Sequence, residues 1–392
     1  MLGAIYTGLS GMNAYSEGLM MISNDVANLN SMGYKGNFLS FDSLFEHGGA
    51  FLGSNSNAGY GVSMGSAFID FSQGTLQQTT NPLDLAIQGK GFLTVLKDGK
   101  TFYERTGNFF VGQDGFVSDA QGNHLAILNS DNIPVEVNID AYKSYPPAAT
   151  GNIAFTGNLS SGGTNASVAN IKVFDSRGNE HDWTVTFTMS DPATDTWTFT
   201  VADASGKPVD IQGTASLQFD SSGNITGTTK FTVTEVPDNA DPLNVTLDFS
   251  KVTSTGGGTD STIATSSVDG NATGTLTGAG ISSDGQVELA YTNGKTKDIG
   301  FVALANFQDP QLLQRLNGDI YANPTDEQVT YNKSGGDGLG TLQSGQIEAS
   351  NVNLSNEFGE LILIERGFQA CSQIVSISNE MIQTLFSMQG HG

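Results

Sequence analysis

Apolar side chains at Leu2, Ile5, Leu9, Met12, Tyr15, Leu19, Ile22, Val26 and Leu29 fall in steps of three and four. That spacing lines one face of an α-helix and predicts a helix from Leu2 to about Leu29. The far end repeats the pattern. Leu354, Leu361, Ile364, Phe368, Cys371, Val375, Ile382 and Leu385 follow a 3-4 heptad, interrupted at Glu357 and Ser378. A helix from Leu354 to Met388 would be roughly 50 Å long at 1.5 Å per residue. On pattern alone, each could be a terminal helix docked on its own domain.

The stretch SNDVANLNSMGYKG, Ser23 to Gly36, breaks the first helix. Asparagine is a poor interior helix former but suits turns and left-handed caps, and Gly33 can take positive φ at no steric cost. The helix is expected to stop between Asn28 and Gly33, with Asn28, Asn30, Gly33 and Tyr34 forming the turn that follows it.

Between the two ends the period changes from 3.6 to two. SAFIDFSQGTLQQT and LDLAIQGKGFLTVL alternate, and the segments are punctuated by KDGK, QDGF, DSRGN, DSSGN and SDGQ, the residues of hairpin turns. Around Tyr145-Pro146-Pro147 the composition shifts. To about Asp284 it is rich in Thr, Ser, Gly and Asp, with strand-like runs such as WTVTFTM and TWTFTV. The earlier flavour returns at VELAYTNGKTKDIGFVALANF. The simplest organisation is nested: an α+β fold, mainly β, with terminal helices at 1–30 plus 355–392. A connector with hairpins would cover 31–71, a split β-domain 72–145 plus 285–354, and an inserted all-β domain 146–284.

Composition narrows the function classes. The 392 residues carry 16 Lys+Arg against 40 Asp+Glu, a formal charge of -24. Such a field repels nucleic acid and anionic lipid headgroups, so neither is expected as a partner. No stretch approaches the ~20 apolar residues of a membrane span. Interfacial helices present Lys/Arg to lipid, whereas the first helix has none and the C-terminal one has only Arg366 against four Glu, so no membrane insertion is expected. The first basic residue is Lys35, and Gly3, Gly8 and Gly11 interrupt any apolar run ahead of it. A cleaved secretory signal is therefore not expected. The single cysteine, Cys371, can form no internal disulfide.

Candidate chemistry is sparse. GVSMG, Gly61 to Gly65, matches a nucleophile elbow by letters, but that motif needs a strand before and a helix after. Here a Gly/Asn/Ser loop precedes Ser63 and an alternating run follows it. NGKT has the tail of a phosphate loop, but Leu289 stands where its first glycine must be, so a hairpin turn is the better reading. His47, His124, His181 and His391 make no i, i+4 pair, and Cys371 has no ligand at zinc spacing. The Asp-Gly turns lack the alternating oxygens and terminal Glu of a calcium loop. No cofactor, metal or enzymatic activity is expected.

Three stretches together resemble the bacterial flagellar rod and hook axial proteins. YTGLSGMNAYSEGLMMISNDVANLNSMGYKG is similar to that family's N-terminal signature. NPLDLAIQGKGFLTVL with FYERTGNFFVGQDGFVSDAQGN looks like its β-domain. LQSGQIEASNVNLSNEFGELILIERGFQACSQIVSISNEMIQTL is similar to its C-terminal element. The resemblance covers roughly residues 1–145 and 285–392. It implies a structural subunit that polymerises into a helical tube, with terminal helices paired in a coiled-coil-like inner layer and β-domains outside. It also implies export through the flagellar type III apparatus to the cell exterior. The implied partners are further copies of the chain, the distal rod protein, the hook cap protein and the hook-filament junction protein. Distal rod members lack a large insertion, so the 146–284 block implies a longer, torque-transmitting member, with a distal rod subunit as the alternative. The residues expected to carry assembly are Leu9, Met12, Leu19, Val26, Leu361, Ile364, Phe368, Val375, Ile382 and Leu385. The glycines inside both helices stand out as a cost, ~1 kcal/mol each relative to Ala in an exposed helix.

Overall fold

The computed structural model describes residues 2–38, 40–43, 61–65, 67–237, 240–256, 258–317, 319–324 and 328–389. The middle of the expected connector, 44–60, lies outside them, as do His47 and His391. The fold is mostly β, with two long helices at its ends: α1, Leu2–Ala27, and α2, Leu354–Gln389. Contacts divide the chain into two compact units. One comprises Met1–Asp140, Ala279–Glu288 and Asp298–Gly392; the other comprises Ala141–Gly278 and Leu289–Lys297.

In the first unit, α1 ends where the asparagines begin. The Asn28 side-chain amide donates to the Asn24 carbonyl at 2.9 Å, and its side-chain oxygen accepts from the Ser31 hydroxyl at 3.0 Å. This competition for backbone groups is what unwinds the last turn. α2 begins on an asparagine cap: the Asn353 side-chain oxygen accepts from the Ser355 N–H at 3.0 Å, satisfying a free donor of the first turn.

The β-part of this unit is built around the hairpin of Phe92–Lys97 with Lys100–Glu104, turned by Asp98 and Gly99, both at positive φ. Strands His124–Leu128 and Leu304–Phe307 both pair with the free edge of Phe92–Lys97, and Tyr321–Ala322 pairs with Lys100–Glu104. A three-stranded sheet pairs Thr341–Ser344, Asp84–Gln88 and Thr106–Asn108. Leu85, Ile87, Leu93 and Val95 are fully buried, and Phe92, Tyr103, Phe307 and Tyr321 form an aromatic cluster with rings 4.8–5.7 Å apart. Val62–Met64 pairs with Phe41–Ser43, so Ser63 is a strand serine, and Asn293-Gly294 is a hairpin turn.

The second unit is built mainly on two five-stranded sheets. One runs 210–211, 230–235, 243–255, 152–160, 264–268; the other runs 165–174, 180–191, 196–203, 216–219, 225–226. Side chains alternate between buried and exposed along 180–191 and 196–203, the period-two pattern that buries one face of each strand. The core so formed holds Trp183, Trp197, Phe155, Phe187, Phe199 and Phe249. Both tryptophan N–H groups find carboxylates, Glu235 at 2.6 Å and Asp195 at 3.2 Å.

Candidate assembly interface

The two helices pack antiparallel, and small residues make the contact. A Cβ added at Gly8 would stand 2.7 Å from a Val375 methyl, and one at Gly11 would stand 2.6 Å from the Cys371 sulfur. The Tyr15 ring lies directly over Gly367. Gly18 and Ala14 are buried on the same side of α1, and Ile364 and Ser378 are buried on α2. Gly3 and Gly359 are exposed; Gly8, Gly11, Gly18 and Gly367 line the seam. Their lack of a side chain lets two backbones approach closely, and that close packing offsets their poor propensity. Ser378, an interruption in the heptad pattern, is buried at 6 % exposure.

The expected assembly residues divide accordingly. Ile364 is buried in the helix pair. Met12, Val26, Leu361, Val375 and Ile382 are half-buried. Leu9, Leu19, Phe368 and Leu385 are exposed, 38–50 % of each open to solvent. They are joined by large apolar side chains not singled out above: Tyr6, Met20, Phe358, Ile362, Leu363, Ile374, Ile377 and Phe386. Large apolar side chains exposed in such number on two paired helices are the composition of an interaction surface. No helix among the described residues is long and apolar enough to cross a membrane.

At the base of the helix pair the turn residues also divide. Asn28 and Asn30 remain partly or fully exposed, whereas Gly33 and Tyr34 are buried. Gly33 has φ +71°, and a Cβ there would meet the Thr106 methyl at 2.8 Å, so the position needs glycine twice over. Its N–H donates to the Glu348 carbonyl at 2.8 Å. The Tyr34 hydroxyl donates to Asp25 at 2.6 Å, and the Asn37 N–H donates to the other Asp25 oxygen at 2.9 Å. Burial, reinforced by the hydrogen bond to Asp25, pushes the Tyr34 phenol well above its ordinary value.

Beside this turn lies a buried ionic cluster. Lys35 and Glu348, both 0 % exposed, pair at 2.7 Å. The same Glu348 oxygen accepts from the Gly74 N–H at 2.7 Å, and its other oxygen accepts from Arg105 Nε at 3.3 Å. Lys35 also donates to the Ser72 carbonyl. Arg105 spends its remaining donors on the carbonyls of Gly91, at 2.5 Å, Gly89, at 2.7 Å, and Ile87, at 3.3 Å. Arg315 covers the Tyr34 ring at 4.6 Å and donates to the Lys35 carbonyl. Burial pulls the Lys35 ammonium below its usual range, and the Glu348 carboxylate works against that pull. Asn351 closes the cluster, its side chain accepting from the Gly36 N–H and donating to the Asp70 carbonyl.

The cluster ties the exit of α1, through Tyr34–Asn37, to Glu348–Asn351 just ahead of α2. Removing one member of such a pair strands a buried charge, so the corner is held by an all-or-none set of contacts. Near it, burial and then the carboxylates of Asp25 and Glu360 raise Glu357, in the first turn of α2, to about 7. Sequence reasoning missed Lys35, Arg105, Glu348 and Arg315 as a group. One signal was available: Lys35 is the only Lys or Arg before Lys90.

Three family models match the chain. They are the flagellar basal body protein FlaE D2 domain over 138–271, the flagellar hook protein FlgE/F/G D1 domain over 86–160, and the flagellar basal body rod FlgEFG protein C-terminal region over 343–388. The flagellar hook protein FlgE of Rhizobium meliloti is 30% identical over 411 residues, covering 99% of each chain. That of Escherichia coli K12 is 28% identical, covering 98% of this chain and 100% of its own. A crystal structure of the Helicobacter pylori flagellar hook protein FlgE2 shares 12% identity at a TM-score of 0.49, covering 70% of this chain and 100% of that one.

Proposed function

Because the chain belongs to the flagellar hook protein family, we infer that it is a structural subunit of the bacterial flagellar hook, many copies of which assemble into a helical tube. The observation that carries the assembly reading is the apolar surface that α1 and α2 leave open to solvent. A helix with an exposed apolar face and many glycines gains most of its stability from what covers it. Copies of the same pair are the natural cover, and the helices then line the tube as coiled-coil-like pairs.

In this reading the polymer has three layers: the helices of 1–30 plus 355–392 inside, the β-domain of 72–145 plus 285–354 in the middle, and the 146–284 insertion outside. Torque from the motor passes along the packed inner helices, and bending is taken up by polar outer surfaces that slide past neighbours. This is the behaviour of a universal joint between rod and filament. Polar, wet contacts suit the outer role because they are exchanged more readily than apolar ones. The buried ion cluster at Lys35, Arg105 and Glu348 makes the corner between inner and middle layers a stiff elbow, so that twist applied to the helices reaches the β-domain.

The subunit has no catalytic task in this account. It travels through the flagellar type III apparatus without a cleaved signal, its termini ordering fully only on assembly, which keeps copies from polymerising early. Its neighbours along the axis are the distal rod protein, the hook cap protein and the hook-filament junction protein. A distal rod role is the weaker reading, since the relatives that align over nearly the whole chain carry the hook protein name. Deleting residues 1–30 and 355–392 tests the proposal. The remaining β-part is expected to sediment as a folded monomer and to form no tubes by electron microscopy. Tubes built by the truncated chain would overturn the reading.

A further inference from the structure

We propose that the free tip of α2 in one copy seats in a methionine-lined groove at the base of α1 in the next copy, joining copies head to tail. The proposal rests on the polymer reading above and names the contact that propagates it. The register of the helix pair places Gly11 against Cys371 and Tyr15 against Gly367. Extended by that register, Leu2 lies level with roughly residue 380. The last turns of α2, through Gln389, therefore run on past the first residue of α1.

This overhang, MIQTLFSMQ, contains no charged residue. Met381, Leu385 and Met388 share one stripe of the helix at i, i+4 and i+7, Phe386 stands one residue round from Leu385, and Phe386 and Met388 are 71% and 76% exposed. Gln383, Thr384 and Ser387 take the opposite side, so the overhang is an amphipathic end whose apolar stripe runs past its partner helix and is stabilised when a second surface covers it. At the other end of the pair, Glu17, Met20, Met21, Asn24, Met64 and Gly65 form an open groove of about 380 Å³. Methionine walls adapt to the shape of an inserted apolar group. An uncharged plug also avoids bringing a second carboxylate to Glu17, which matters in a chain of charge -24.

Plug and groove cannot meet within one copy. By the same register, Met20 lies roughly 40 Å along the helix axis from Phe386. Joining two different patches of identical copies gives a heterologous contact, which propagates as an open helix unless the rotation closes.

Cysteine cross-linking in assembled polymer tests this. In a Cys371→Ser background, Met20→Cys and Phe386→Cys are introduced together into the full chain, the polymer is oxidised, and it is run on a non-reducing gel. A ladder of dimer, trimer and longer species is expected, because intramolecular bridging across that distance is impossible. Monomer bands alone, or dimers without longer species, would overturn the proposal. A second arm does not require the cysteine variant to assemble. Phe386→Asp and Met20→Asp should each raise the concentration needed for polymerisation by at least about tenfold. Mixed, they should form 1:1 heterodimers by ultracentrifugation, one good tip in one good groove. Mixtures that stay monomeric overturn it. So does flotation of the wild-type chain with phosphatidylglycerol vesicles that Phe386→Asp abolishes, since the tip would then serve a lipid surface. If the unmodified chain forms no polymer, the polymer reading itself fails, and this contact with it. Polymer without a ladder removes only the contact.

Discussion

The helix pair and the second β-unit treat apolar side chains in opposite ways. In the β-unit, Trp183, Trp197, Phe155, Phe187 and Phe249 are completely buried, and the indole N–H groups have carboxylate partners. In the helix pair, the only buried hydrophobic side chains among the described residues are Ala14, Ile22 and Ile364, while Leu363, Phe386 and Met388 are each more than two-thirds exposed. One region closes its core within the chain; the other leaves large apolar side chains on its surface. Identical rules of burial acting on different patterns produce a self-sufficient domain and one with an open apolar face. The open face is the part suited to polymerisation.

If the contrast is right, the helix pair depends heavily on whatever holds its base, and the largest effect on folding comes from there. Glu348→Ala leaves Lys35 and Arg105 buried without their carboxylate, a loss of about 3–5 kcal/mol. Denaturant unfolding followed by hydrogen exchange should show the loss in amides of the first unit and none in the second. Equal loss in both would mean that the two regions are not independent in stability.

How much of this was legible beforehand follows the range of the interactions. The helix spans came from local spacing, and so did the alternation in the second unit, because periodicity is written in neighbouring residues. The turn at Asn28–Gly33 was readable from residue chemistry. The role of Gly8, Gly11 and Gly367 was not: a glycine in a helix reads as a propensity cost until the partner backbone is in view. The Lys35–Glu348 pair joins residues 313 apart, and no local pattern announces a partner at that distance. Burial of Tyr34 beside the turn was likewise hidden, because a Gly-Tyr-Lys step looks like a surface loop until Asp25 and Arg315 are placed around it.

A smaller effect separates the regions by pH. In the second unit, burial pushes Asp175 upward, but hydrogen bonds from Asn179 and from the Arg177 N–H outweigh it and hold the carboxyl at about 2. Its folded pKa is thus below the unfolded value of 3.8, so its contribution is complete above about pH 4 and lost as pH falls toward 2. The first unit contains the reverse case. Burial, and then the Asp119 carboxylate, push Glu104 well above the ordinary carboxylate range, so its penalty grows as pH rises past the unfolded value. Asp175→Asn should flatten the acid limb of the second unit's stability by about 1–2 kcal/mol between pH 4 and pH 2. Thermal melts at the two pH values check it, and an unchanged acid limb would remove Asp175 from the account.

The smallest expected effect on the monomer is also the sharpest probe of the comparison. Phe368 sits on α2 with 38 % of its surface exposed, so an aspartate there meets water in the isolated chain. Surface substitutions of this kind usually move stability by no more than about 0.5 kcal/mol. In a polymer the same aspartate would be taken out of water against a neighbour's apolar side chains, where an unpaired charge is costly. Phe368→Asp should therefore leave the circular dichroism and the unfolding midpoint of the monomer unchanged while abolishing polymerisation in sedimentation assays. Loss of monomer structure would mean that Phe368 belongs to a core completed within the chain, and the helix pair would then resemble the β-unit it has been set against.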